Sequence, residues 1–355
     1  MRFTLSCCRA ASREEDGEGE GEGECGPKYR VFTHEEIEAA TSGFSPSALL
    51  GRGSHGSVYL ASLDQGRLLA AAKRPFHSSL AFDSPPTTDA EIDLLSSLPH
   101  SPLFVNLVGA TPAAGPSPRI AVVDLMPHGS LHDLLHHPLL PPPPFPRRLR
   151  LALRSAAALA QLHSLHIAHR DVKPANLLLD DEGLPRLADF GLAIRLPLPG
   201  GVEPQSAHFP PPAGTMGYLD PAYIRPEDVS TGTDVYSFGV VLLEVLSGRE
   251  AIDVEYSPSS LLEWAVPLVR EGRFAELWDP RAAPEGRREE EAARAVAEVA
   301  GRCAAEDART RPSMDEVVAA LEAAERRVRG RAKWWALRRR VRRSHSKRVS
   351  DVATS

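Results

Sequence analysis

The chain has 355 residues, of which 42% are hydrophobic, and a formal net charge of −6. This length allows one large domain or two small ones, with ordinary apolar content for a globular core. Its four cysteines form no C-x-x-C pair and no apolar run approaches the roughly 20 residues that span a bilayer, which argues against a zinc or disulfide framework and a transmembrane helix. A reducing, intracellular compartment fits best.

The charge is unevenly distributed. Residues 326–348 hold twelve Lys or Arg and no acid, which leaves about −18 for the remainder of the chain. Residues 1–28 include a Gly/Glu alternation at 14–24 that cannot form a core, so we predict a disordered acidic segment. Cys7 and Cys8 in this segment are candidates for S-acylation, with two exposed tail cysteines as the alternative.

A short amphipathic helix is predicted ahead of the main domain. Thr33 and Glu36 have the spacing of a capping box, Ile37 continues the apolar face, and Gly43 ends the helix.

A glycine-rich stretch at residues 50–60 is the first candidate binding element. Glycines let backbone amides approach phosphate oxygens where a Cβ would obstruct. A Rossmann turn has similar spacing but enters a helix directly, whereas residues 57–61 favour a strand and therefore a hairpin over the phosphates. The predicted nucleotide-binding members of this loop are Gly51, Arg52, Gly53, Ser54, His55, Gly56 and Val58.

Further elements follow in chain order. Strands are predicted at residues 68–73, 104–109 and 119–125, with a helix at about 89–98 between the first two. Residues 147–163 are predicted to form a buried helix.

Residues 169–176 read His-Arg-Asp-Val-Lys-Pro-Ala-Asn and combine an acid, a cation and an amide. A tight hairpin after them would return the chain to Asp189, beside Asn176. One carboxylate and one amide oxygen suit a hard ion such as magnesium, and Asp171 and Lys173 would flank the same point. Phosphoryl transfer requires this layout, because metal and lysine neutralise charge while an acid orients the attacking hydroxyl.

At these residues the chain resembles the eukaryotic protein kinases, whose signature is H-R-D-x-x-x-x-N followed by D-F-G. The wording of residues 29–44 resembles plant receptor-like kinases of the Pelle-related group, and residues 53–56 resemble the Crinkly-type branch. The resemblance implies an α+β, two-lobed kinase fold. Its implied divisions are a kinase domain at 29–325, with a small β-rich N-lobe at about 45–126 and a larger, mainly α-helical C-lobe at about 127–325, and a basic tail at 326–355.

The resemblance also implies the roles of the catalytic residues and the cofactors ATP and Mg2+. Asp171 would be the catalytic acid–base group and Lys173 the cation on the phosphoryl group, a choice typical of Ser/Thr kinases. Asn176 and Asp189 would bind the metal.

Lys73 would anchor the ATP phosphates by pairing with Glu91, which fits the family spacing better than the competing Asp93. The other implied ATP-binding positions are Ala71 facing adenine, the gatekeeper Val123, Asp124 and Met126 in the hinge, and Leu178.

Three residues are implied in regulation and support. Ser206 would be the phosphorylation site of the activation segment, and Arg170 would receive its phosphate. Residues 214–221 resemble the family's substrate-docking loop, in which Thr215 would hydrogen-bond Asp171 and Lys173. Beneath this loop, the family pattern implies that an aspartate from a later buried helix, Asp234, braces the backbone of the H-R-D motif.

One position departs from the pattern. The family's D-P-E is here Asp-Pro-Ala at 220–222, so the glutamate that would pair with buried Arg311 is absent. Breaking a buried pair costs ~3–5 kcal/mol. Either another acid such as Glu227 or Asp228 replaces it, or the domain is weakened, which keeps open a weakly active or pseudokinase scaffold recruited to membranes by its tails.

The resemblance implies a Ser/Thr kinase that transfers the γ-phosphoryl of ATP to protein Ser/Thr hydroxyls in plant receptor-linked signalling. The implied partners are a protein substrate and an upstream receptor kinase. The implied location is cytoplasmic, with a peripheral plasma-membrane location left open.

In the basic tail, Trp334, Leu337 and Val341 recur at helical spacing among arginines. This pattern suits an acidic membrane surface or calmodulin. Nuclear import, non-specific nucleic-acid binding and a solvated tail are the alternatives, and no specific nucleic acid is expected.

Overall fold

The computed structural model describes residues 29–53, 56–76, 87–113, 118–137, 139, 141–198 and 209–329. Within these ranges a sheet-rich lobe precedes a helical lobe, which confirms the predicted α+β, two-lobed fold. The predicted features at Cys7 and Cys8, at Ser206 and in residues 330–355 of the basic tail lie outside the described residues.

Six strands of the described residues form the N-lobe sheet: β1 (Arg30–Val31), β2 (Leu49–Arg52), β3 (Gly56–Leu63), β4 (Leu68–Pro75), β5 (Leu107–Ala110) and β6 (Ala121–Asp124). Their order across the sheet is β1-β5-β6-β4-β3-β2. β1 runs parallel to β5, and the other neighbours are antiparallel. Val58 lies opposite Lys73 in the β3–β4 register, so the glycine-rich hairpin and the candidate lysine occupy adjacent strands.

Residues 29–43 pack onto this sheet as part of the N-lobe. Helix α1 (His34–Ala40) begins with the predicted Thr33 and Glu36 capping box. Phe32 and Ile37 are completely buried. Gly109 allows β1 to lie against β5, because a Cβ there would stand 2.2 Å from the Arg30 carbonyl oxygen.

The second lobe is built around helix α5 (Thr231–Ser247), which is buried from Thr233 onward, as the apolar sequence predicts. Helices α4 (Phe145–Ser164) and α7 (Gly286–Cys303) contribute to the same core. Gly239 lets α5 approach α7, because a Cβ at this position would lie 2.8 Å from that of Cys303. Within the described ranges, no helix has both the length and the apolar character to cross a bilayer. The helices outside α1 and α5 are α2 (Thr87–Ser97) in the N-lobe, then α3 (Leu131–His136), α4 (Phe145–Ser164), α6 (Leu261–Arg270), α7 (Gly286–Cys303) and α8 (314–329).

Four short strands in the described part of the chain lie around residues 169–176, which we call the catalytic loop. They are β7 (Ile167–Ala168), β8 (Leu177–Leu179), β9 (Pro185–Leu187) and β10 (Ile194–Arg195), paired β7 with β10 and β8 with β9. The β8–β9 hairpin is the one predicted from sequence. The amide of Ala188 donates to the Asn176 carbonyl at 2.9 Å, so the chain returns beside Asn176 just before Asp189.

Candidate active site

The backbone of the catalytic loop is held by a buried carboxylate. Asp234 at the start of α5 accepts the amides of His169 and Arg170, each at 2.8 Å, as predicted. Arg170 has φ of 69°, a conformation that costs energy in a non-glycine residue and persists only where neighbours hold it. Burial alone would raise the pKa of Asp234, but its interactions with His163 and His169 outweigh burial and lower that pKa.

Asp171 lies at the centre of a hydrogen-bonded cluster. Its two carboxylate oxygens accept from the Lys173 ammonium at 2.7 Å and from the Thr215 hydroxyl at 2.6 Å. The amide nitrogen of Asn176 adds a bond of 2.9 Å, and Lys173 also donates to Thr215 at 2.7 Å. The predicted contacts of Thr215 are therefore present, and the carboxylate is fixed in orientation.

Lys73 joins three separate elements. Its Nζ donates to Glu91 of α2 at 2.6 Å and to Asp189 at 2.5 Å. Burial would lower the pKa of Lys73, but the two carboxylates outweigh it and raise that pKa above its usual value. Burial raises the pKa of Glu91. At Asp189 the charge of Lys73 outweighs the effect of burial and lowers the pKa of the carboxyl group. The lysine is therefore a fixed cation at neutral pH. Asp93, the competing acid on α2, reaches Arg119 instead, at 3.5 Å.

Phe190 links this lysine pair to the catalytic loop. Its amide donates to Glu91 Oε1 at 3.2 Å, and its ring packs edge-on against Phe104 and His169 at centroid distances of 5.7 and 5.2 Å. Asp189, the preceding residue, has φ of 63°. Backbone strain of this kind concentrates at functional sites.

The donor set at Asn176 and Asp189 fits magnesium. The Asn176 amide nitrogen is committed to Asp171, and one Asp189 oxygen is committed to Lys73. Each residue therefore keeps one oxygen with no hydrogen bond to the described chain, on adjacent segments. The described residues contain no group of three or more His, Cys, Asp or Glu that could hold a metal, so water or phosphate oxygens would supply the remaining ligands, as magnesium prefers.

The glycine loop closes as a hairpin. Gly51 and Arg52 lie in β2, and the amide of Gly53 donates to the Gly56 carbonyl at 2.9 Å. A Cβ at Gly56 would stand 2.4 Å from the Arg74 carbonyl oxygen, so the hairpin requires glycine there. Ser54 and His55 are outside the described part of the chain, and their predicted contacts with ATP stay predictions.

Four of the five other ATP-binding candidates lie in strands β4, β6 and β8. Ala71 of β4 lies directly opposite Val123 of β6 in the sheet register. Asp124 accepts the Asn106 side-chain amide through its carboxylate at 2.8 Å, and its own backbone amide donates to the Asn106 carbonyl at 3.0 Å. The contact of Asp124 with adenine stays a prediction. Met126 follows Asp124 by two residues, and Leu178 lies half-buried in β8.

The prediction that Glu227 or Asp228 replaces the missing glutamate as the partner of Arg311 is wrong. Glu227 and Asp228 instead pair with Arg225, at 3.4 and 3.1 Å, because the short turn Pro226–Asp228 folds back on that arginine. Arg311 binds both oxygens of Asp220, at 2.5 and 2.8 Å. The arginine is therefore paired despite the missing glutamate.

Sequence reasoning missed the role of Glu244, which is completely buried in α5. Its carboxylate accepts from the Tyr218 hydroxyl and from the amide of Ala251 at 2.9 Å. Burial and the nearby carboxylate raise the pKa of Tyr218. Glu244 thus connects the docking loop to the central helix. The signal that could have identified it was an acid within the apolar run at residues 238–246.

Comparison with known proteins agrees with this site. The protein kinase domain family matches residues 44–321. Two serine/threonine-protein kinase-like proteins of Arabidopsis thaliana are 42% and 41% identical, over 83% and 86% of this chain and 63% and 82% of their own lengths. A receptor-like cytoplasmic serine/threonine-protein kinase of Gossypium barbadense is 36% identical over 84% of this chain and 65% of its own length. This chain therefore spans less than two thirds of the first and third of these relatives. The Crinkly-type branch stays a prediction. By fold, site and relatives, the chain belongs to the protein kinase family, among plant serine/threonine kinases that include receptor-like cytoplasmic members.

Proposed function

We propose that this protein kinase transfers the γ-phosphoryl group of ATP to Ser or Thr hydroxyls of a protein substrate at Asp171. The observation that carries the proposal is the fixed orientation of Asp171, whose two oxygens are held by Lys173 and Thr215. In this arrangement Asp171 accepts the proton of the attacking hydroxyl, and Lys173 neutralises charge on the transferred group.

The nucleotide would lie between the glycine hairpin and the hinge, with Lys73 directed at its phosphates by Glu91. Asn176 and Asp189 would hold Mg2+, which when bound neutralises phosphate charge. The contacts that support this assignment are the two hydrogen bonds of Lys73 and the two uncommitted oxygens of the metal-site pair.

The main argument for a weakly active or pseudokinase scaffold does not hold. It was raised because Ala222 leaves Arg311 without the usual glutamate, yet Asp220 pairs with that arginine. The active enzyme is therefore the function that the site supports best.

Autophosphorylation with Mg-ATP tests the proposal. Parent, Asp171→Asn and Lys73→Met proteins are compared after phosphatase treatment, by incorporation of labelled phosphate. We expect incorporation in the parent and its loss in both variants. A parent that incorporates no phosphate would refute catalysis.

We further propose that Ser206 is phosphorylated and that Arg170 binds the phosphate. Arg170 already contacts both flanks of the activation segment, through the carbonyls of Leu192 at 3.0 Å and Pro211 at 2.5 Å. Its Nε is buried and has no partner among the described residues. Ser206→Ala should lower turnover while Ser206→Asp partly retains it, and equal turnover in all three proteins would contradict the proposal.

The tails are proposed to place this kinase at a membrane. The basic tail would bind acidic lipid, Cys7 and Cys8 would be acylated, and an upstream receptor kinase at the plasma membrane would be the activating partner. Calmodulin is the competing ligand of the tail. Truncation after Glu325 should abolish binding to vesicles containing phosphatidylserine, whereas Cys7→Ser/Cys8→Ser should shift the protein from membrane to cytoplasmic fractions. Unchanged vesicle binding would contradict the lipid contact of the basic tail. Unchanged fractionation would contradict the acylation of Cys7 and Cys8.

A further inference from the structure

Asp220 and Arg311 form an ion pair beneath the docking loop, with side chains only 3% and 1% exposed. The terminal nitrogens of Arg311 donate to the two oxygens of Asp220 at 2.5 and 2.8 Å. The other donors of the guanidinium reach the carbonyls of Ala305, Gly232 and Glu306, at 2.8, 3.0 and 3.4 Å. Asp220 is thus the carboxylate that pairs with this buried cation, and its removal would leave the guanidinium without that partner.

This pair lies at the end of the loop that approaches the catalytic acid. Residues 214–219 include Thr215, whose hydroxyl donates to Asp171, and Asp220 follows them directly. One oxygen of Asp220 also accepts the amide of Ala222 at 2.9 Å, so the carboxylate turns the chain as well as binding the arginine. The carboxylate thus fixes the point at which the docking loop leaves the active site.

We propose that Asp220 is the positioning residue of the docking loop, replacing the carboxylate that this chain lacks at Ala222. Asp220 is the first residue of the D-P-E pattern, two positions before the missing glutamate, and one carboxylate still meets one guanidinium. The proposal rests on the proposed kinase function and names the element that orients the protein substrate. Loss of the Asp220 charge would leave Arg311 buried without an anion and release the loop, while the lysine pair at the nucleotide would stay in place.

Peptide-phosphorylation kinetics test this inference, with a serine peptide that the parent phosphorylates. In Asp220→Asn we expect kcat/KM for the peptide to fall at least about tenfold, since an unpaired buried charge is costly. The KM for ATP should stay within about twofold, because the charge removed lies away from Lys73. Asp228→Asn is the matched control, because that acid binds Arg225 at the surface, and it should behave as the parent.

A second substitution that restores a carboxylate opposite Arg311 distinguishes a positioning role of Asp220 from a general loss of stability. The amide of Ala222 lies 2.9 Å from the Asp220 carboxylate, so a glutamate side chain starting there is within reach of Arg311. Asp220→Asn/Ala222→Glu should therefore recover peptide kcat/KM to within about threefold of the parent. Parent-like kinetics in Asp220→Asn, or a double variant no better than the single one, would overturn the proposal.

Hydrogen–deuterium exchange gives a readout that does not need activity. Asp220→Asn should exchange faster at residues 214–219 but not in α2, and the added glutamate should reverse the change. If the parent proves inactive, the proposed function fails but this exchange result still decides the role of Asp220, with unchanged exchange overturning it. If Asp220→Asn does not fold, a soluble double variant supports the proposal and an unfolded one refutes it.

Discussion

The carboxylate of Glu91 meets the ammonium of Lys73 at 2.6 Å and joins α2 to β4. Its second oxygen accepts the amide of Phe190 at 3.2 Å, so one side chain coordinates the helix, the sheet and the D-F-G motif. A displacement of α2 would therefore break the lysine contact and the Phe190 contact together.

The first prediction is that Glu91→Gln lowers kcat/KM for ATP. The amide keeps the size of the side chain but removes the charge, and hydrogen bonds to charged groups contribute about 1.5–3 kcal/mol, so we expect a loss of about 10- to 100-fold. The control is Asp93→Asn on the same helix, where the side chain is 76% exposed. Equal losses in the two variants would contradict a specific role for Glu91.

Thr215→Val should lower kcat while leaving the KM for ATP nearly unchanged. Valine has the shape of threonine but cannot donate to Asp171 or accept from Lys173. The loss of these two bonds predicts a decrease of at least about tenfold. Thr215→Ser retains the hydroxyl and should stay close to the parent. Steady-state kinetics at varied ATP separate the two parameters, and a serine variant as slow as the valine one would count against the hydrogen bond.

Asp234 should make stability depend on pH at the acid end. Its folded pKa is lowered below the ordinary value of 3.8, so its contribution is complete above that value and is lost as the pH falls through the folded pKa. Asp234→Asn should be about 3 kcal/mol less stable at pH 7, since a buried charge network is broken. Urea unfolding between pH 7 and pH 3 should show this difference shrinking, and a constant difference would disprove the linkage.

Cys303 should be protected from thiol reagents in the folded protein. Burial raises the pKa of its thiol to about 12, so almost no thiolate is present at pH 8. In a Cys7→Ser/Cys8→Ser/Cys25→Ser background, maleimide labelling should occur only after urea is added. Rapid labelling without urea would show that the packing of α5 against α7 opens readily.

Phe32→Ala should lower the free energy of unfolding by about 3–5 kcal/mol, because a fully buried aromatic ring leaves a cavity. Its neighbour Val31 is 48% exposed, and Val31→Ala should change stability by no more than about 0.5 kcal/mol. Urea unfolding followed by fluorescence compares the two. A similar small effect in both would mean that residues 29–43 contribute little to the N-lobe.

The catalytic loop could be predicted because its chemistry is local in sequence. Asp171, Lys173 and Asn176 lie within six positions, and a short hairpin returns the chain to Asp189. Helix α1 was predicted from its capping box, its apolar face at Ile37 and the glycine that follows it. In each case the interacting groups are few residues apart, so spacing determines geometry.

The partner of Arg311 could not be predicted in this way. Several acids lie between residues 220 and 228, and spacing does not say which of them faces an arginine 91 positions away from Asp220. The local turn at Arg225 makes Asp228 unavailable to Arg311, because Asp228 pairs with Arg225 there. Glu244 was missed for the same reason, since its partner Tyr218 is brought to it only by tertiary packing.

Strand β1 has a consequence for how copies of the protein behave towards one another. It occupies the outer side of β5, so β5 keeps a partner within the same molecule. Its own outer edge is only two residues long and carries Arg30, whose guanidinium is held by Asp64 at 2.9 Å. Short, charged edges resist pairing with strands of other molecules. A chain begun at residue 44 would uncover β5, and self-association through that edge would follow even with every residue of the active site intact.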